Sequence, residues 1–106
     1  MEWKPASIES VRQIVQDDLA NCDRETAAVF ETYRVAPRPA PIIRYGKLES
    51  VFVVARKDDH VIYWEDVEEG FGVSAVNTDG QVLEHDCNQY NLSMAVNALI
   101  GRRGGL

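Results

Sequence analysis

The sequence predicts a single α+β domain built on an antiparallel sheet of about five strands, with two N-terminal helices and one C-terminal helix packed on it. Three observations carry this expectation. Apolar residues step by three and four near both ends of the chain. From Ile42 onward they fall instead into short β-branched and aromatic runs. Tight-turn signatures, not helices, separate those runs. Successive strands bracketed by helices form an antiparallel sheet with the helices laid on it. The 106 residues leave room for one domain, 1–106, with 101–106 as a frayed tail.

The first helix is expected over 7–22. Ile8, Val11, Val15, Leu19 and Cys22 share one stripe, and Ser7 is suited to cap it. Asp23 is suited to cap a second helix, 24–34, whose apolar members Ala27, Val29, Phe30 and Tyr33 make a weaker pattern. Pro37, Pro39 and Pro41 then forbid a helix and impose an extended path. That segment reads as a stiff connector in preference to a docking peptide for an SH3-like partner. Strands are expected at 42–46, 50–57, 60–66, 71–76 and 81–85. Lys57-Asp58-Asp59-His60 reads as a tight hairpin turn, and Asn77-Thr78-Asp79-Gly80 as a turn in which Gly80 supplies a positive φ. Leu92, Ala95, Val96 and Leu99 mark a last helix over about 90–100, with Gly101 closing it.

The net charge of −6 excludes the basic footprint of a nucleic-acid binder. No apolar run approaches the length of a membrane span. Met1-Glu2-Trp3-Lys4-Pro5 lacks the charged and apolar regions of a secretion signal, so a cytoplasmic location is expected. Cys22 and Cys87 are too few for a disulfide framework and read as reduced thiols.

Charge is segregated along the chain. Residues 34–57 carry six Lys or Arg against Glu49 alone, and residues 58–86 carry nine acids with no Lys or Arg. A solvated acidic surface is one reading, and partial neutralisation across the sheet, Arg44 or Arg56 facing Glu65 or Glu84, is another. The third is an acidic edge that steers a basic protein partner. Within 58–69 its members are Asp58, Asp59, Glu65, Asp66, Glu68 and Glu69, all expected at the surface because unpaired carboxylates are costly to bury.

Signatures of chemistry are weak. Asp58-Asp59-His60 and His85-Asp86-Cys87 hold metal-ligating residue types without a metal-site spacing, so no metal or cofactor is expected. Cys87 beside His85 is a poor nucleophile–base pair, and Cys22 belongs to the apolar stripe. The acids at 65–69 lack the cleft that would separate two carboxylate pKa values. Glu69-Gly70-Phe71-Gly72 precedes no helix, so its glycines suit a bend and not a phosphate loop.

Uninterrupted pairing of 50–57 with 60–66 through Asp58-Asp59 places Val51, Val53, Ala55, Ile62 and Trp64 on one face, under the helices. Phe52, Val54, Val61 and Tyr63 then share the other face, with Arg56 and Glu65 at its rim. A second apolar face marks a homodimer contact or a ligand cavity.

The run Val53-Val54-Ala55 through Tyr63-Trp64-Glu65-Asp66-Val67-Glu68-Glu69-Gly70-Phe71 is similar to segments of small uncharacterised bacterial α+β proteins, some of them immunity, antitoxin or mobile-cassette products. The helix–sheet–helix order and the acidity also look like frataxin, although only Glu9, Asp17 and Asp18 match its acidic first helix. The tail Arg102-Arg103-Gly104-Gly105-Leu106 resembles a ubiquitin-like conjugation tail, on a helix arrangement that is not theirs. The first resemblance implies a non-enzymatic protein-binding module of immunity or inhibitor type, presenting its acidic edge to a basic partner. The alternative expectation is a small-molecule or metal-binding domain with its pocket between sheet and helices.

Overall fold

Ser7, Asp23 and Asn91 each accept a hydrogen bond from the backbone N–H three residues on, and each starts a helix. The computed structural model describes residues 7–44, 46–65, 69–83 and 89–101. It is α+β, in the order α1 (Ile8–Ala20), α2 (Arg24–Tyr33), β1 (Arg34–Arg44), β2 (Lys47–Lys57), β3 (His60–Glu65), β4 (Gly70–Ala75) and α3 (Leu92–Leu99). The four strands form one antiparallel sheet in sequential order. None of the described helices is long and apolar enough to cross a membrane.

All three helices cover the same face of the sheet. Val11, Val15, Phe30, Leu92, Ala95 and Val96 pack there against Val54, Ala55, Ile62, Trp64 and Phe71. The Asp18 carboxylate accepts the Leu92 N–H at 3.1 Å and so ties α1 to the start of α3. Gly101, at φ 68°, takes the left-handed position that closes α3.

Two corrections concern the strands. The first strand begins at Arg34, eight residues before its expected start, and contains all three prolines. Neighbouring residues of a strand turn their N–H groups to opposite sides. Pro41 aims its carbonyl away from β2, at the Val82 N–H 2.8 Å away. Over the regular register from Arg38 to Arg44, the alternation turns the nitrogen of Pro39 outward too, while Arg38, Ala40 and Ile42 face β2; Pro37 falls in the irregularity between Arg34 and Arg38. The missing donors therefore fall on an edge, where prolines are tolerated. The expected fifth strand, 81–85, is reduced to Val82, which makes single bridges to Ile42 and Val76; 84 and 85 lie outside the described residues.

Those two bridges join the sheet's outer edges, because Ile42 belongs to β1 and Val76 continues β4. The sheet thereby curls over its helix-free face. A second core fills the curl: Ala40, Ile42, Val51, Val53, Val61, Tyr63, Val76 and Val82, all at most 7% exposed.

The assignment of faces also needs correction. Lys57 pairs with His60 and Ala55 with Ile62, as an uninterrupted hairpin requires, but Val53 pairs with Tyr63. One extra residue, a bulge at Val54, shifts the register. Beyond it every side chain changes face. Phe52 and Val54 go to the helices with Ala55, Ile62 and Trp64; Val51 and Val53 go into the curl with Val61 and Tyr63.

Candidate ligand-binding cleft

The curl is filled at its centre and open at one end. There a cleft of about 300 Å³ lies between the strands and the 77–80 turn. Its floor is Ala40, Val53, Val61 and Val76, and its walls carry Arg38, Arg56, Thr78 and Asp79.

Each wall follows from local structure. Arg38 stands opposite Val53 on β1, and Arg56 opposite Val61 on β2, so both side chains rise from the curled face. The Arg56 Nε donates to the Asp58 carbonyl at 2.8 Å, which fixes the side chain and leaves its terminal nitrogens free of that bond. The facing turn is built by Asn77. Its Oδ1 accepts the N–H groups of Asp79 and Gln81, each at 2.9 Å, and its carbonyl accepts that of Gly80. Gly80, at φ 83°, completes the turn as expected from its sequence. Thr78 and Asp79 are thus held exposed at the mouth. No hydrogen bond or ion pair involves the Arg38 guanidinium or the Asp79 carboxylate among the described residues.

The sequence-derived site residues are scattered. Val61 and Arg56 line the cleft. Tyr63, Val61 and Val54 are at most 2% exposed in the single chain, so a second copy would find none of these side chains at the surface. Phe52 packs under the helices. The space between sheet and helices, where a pocket was expected, holds the larger core.

The acidic edge is divided. Asp58 and Asp59 are exposed at the β2–β3 turn. Glu69 is exposed at the β3–β4 connection, at the other end of β3. In a meander, successive turns lie at opposite ends of the sheet, here about 17 Å apart across six residues. Glu65 is 3% exposed and therefore belongs to no exposed edge. Its parity with Val61 and Tyr63 turns it inward. Asp66 and Glu68 lie outside the described residues. The proposed pairing of Arg56 with Glu65 does not occur, since Arg56 stands opposite Val61 and Glu65 opposite Gly70. The Arg44 side chain and Glu84 are not among the described groups.

His60 Nδ1 lies 2.9 Å from the Asp59 carboxylate on the exposed turn. His85, Asp86 and Cys87 fall outside the described residues, and no cluster of three metal-ligating side chains occurs among those described. The Cys22 thiol is pushed above its ordinary pKa, first by burial, then by the charges of Asp18 and Asp23. Sequence reasoning missed Arg38, Thr78 and Asp79. Arg38 lies within the proline segment, which the sequence shows only as extended, and nothing in it places that segment in the sheet. Comparison of this chain with known protein families, curated proteins and solved structures finds no match.

Proposed function

We propose that this protein is a non-catalytic binding module that takes a small molecule in the cleft at the open end of the curl. The cleft itself carries this reading: an apolar floor, polar walls and a turn already organised by Asn77. Ligand sites combine these features, and about 300 Å³ suits a small ligand. Binding without chemistry is favoured because the Asp59–His60 pair sits on an exposed turn tip, with no nucleophile bonded to the imidazole among the described residues. Amide shift mapping with cyclohexanol and N-methylacetamide as neutral probes tests it. Saturable shifts clustered on Val53, Val61 and 78–80 are expected. Shifts scattered over the surface, or none, overturn the reading.

A second reading, docking of a basic protein, is supported by the exposure of Asp58 and Asp59. It requires that titration with a decalysine peptide perturb residues 58–60 before the other exposed acids. Uniform perturbation would indicate charge attraction alone.

A further inference from the structure

The cleft carries opposite charges on opposite walls. Arg38 and Arg56 come from the strands, Asp79 from the turn. Among the described residues no ion pair joins Asp79 to either arginine, although all three line one opening about 300 Å³ in volume. Oppositely charged groups that share a cleft without closing on each other leave room for a molecule that is itself bipolar. A simple anion would satisfy the arginines but meet the Asp79 carboxylate; a simple cation would meet the reverse conflict. A zwitterion satisfies both walls.

We propose that the ligand is a small zwitterion of the free amino-acid class. Its carboxylate is taken by Arg38 and Arg56, and its ammonium group by Asp79, with the Thr78 hydroxyl beside it. Guanidinium groups suit a carboxylate because their parallel N–H donors match its two oxygens. Ala40, Val53, Val61 and Val76 at the floor offer no partner to a further charge, so an uncharged side chain suits the ligand better than a charged one. The inference rests on the reading of this cleft as a binding site and adds the chemistry of its occupant.

Three probes separate the charges: L-leucine, 4-methylpentanoate, which lacks the ammonium group, and L-leucinamide, which lacks the carboxylate. Titrations followed by amide shifts are expected to show L-leucine binding at least tenfold tighter than either analogue. Arg38→Gln should weaken both L-leucine and 4-methylpentanoate about tenfold. Asp79→Asn should weaken L-leucine by a similar factor and leave 4-methylpentanoate unchanged or tighter. Arg38 and Asp79 are exposed, so both variants should keep the wild-type thermal midpoint, which serves as the folding control. Equal affinity for L-leucine and 4-methylpentanoate, or indifference to Asp79→Asn, overturns the zwitterion. Binding of the neutral probes in the cleft without L-leucine binding overturns the zwitterion and spares the binding site. Failure of every probe overturns both.

Discussion

A Cβ built on Gly72 would lie 2.6 Å from the ring end of Tyr63, which is itself only 2% exposed. The ring has little room to retreat, so Gly72→Ala is expected to cost about 1–3 kcal/mol in urea denaturation. Shortening the neighbour should relieve the clash: Gly72→Ala/Tyr63→Leu should cost less than the sum of the two single variants' costs. Strict additivity would show that the ring does not determine the glycine. Gly70 is a harder case. Its added Cβ would run into the Gln89 backbone, a clash that no side-chain change removes, so Gly70→Ala should cost more than Gly72→Ala. Cys22 offers a test by pH. Its folded pKa is raised, so its contribution to stability is intact below the unfolded value of about 8.5 and is lost as pH rises through the folded value. Cys22→Ala should flatten this loss above the unfolded pKa. Iodoacetamide should alkylate the folded thiol more slowly than an unfolded one at pH 8. An unchanged pH profile and an unhindered rate would contradict the raised pKa.

At the scale of elements, local signals were legible wherever local chemistry decides. Ser7, Asp23 and Gly80 do what their side chains or lack of one dictate. Asp23→Ala should therefore cost about 1 kcal/mol by removing the acceptor of the Thr26 N–H, measured as a lowered urea midpoint with unchanged slope. The proline segment was legible only as extended, because extension is a property of the residues and strand pairing is a property of their neighbours. The spacing of the prolines predicts an asymmetry that the structure makes testable. Pro41→Ala changes a position that already faces outward from the ladder, whereas Ala40→Pro removes a donor from it. Ala40→Pro should leave a buried carbonyl unsatisfied and cost at least about 1–3 kcal/mol more than Pro41→Ala in denaturant midpoints. Equal costs would mean that the alternation of N–H directions does not govern this edge.

For the whole molecule, the decisive contacts are few and distant in sequence. Val82 meets Ile42, forty residues away, through a single bridge, and no run of alternating residues announces such a contact. The positions of the binding walls depend on it, which is why Arg38 and Asp79 were not seen as neighbours of one cleft. The Val82 amide donates to Pro41 from a residue 1% exposed, so its hydrogen exchange should approach the slowest in the protein, while the exposed Thr78 and Asp79 amides exchange much faster. Fast exchange at Val82 would mean that the curl opens without global unfolding. The faces of β2 were misread for a different reason. Val51 to Ala55 are all apolar, so the run has no phase, and either face can point inward without exposing a polar group to the core.

The bulge at Val54 also makes that residue removable. Because it is one residue too many for the register, its deletion joins Val53 to Ala55 with the alternation already correct and every other partner in the hairpin kept, at the cost of one buried side chain from the helix-side core. An engineered chain one residue shorter should therefore retain its fold while losing the bend that the extra residue imposes. Length and curvature in β2 are separable variables, and a gene that drops a single codon could alter the shape of the cleft without altering any residue that lines it.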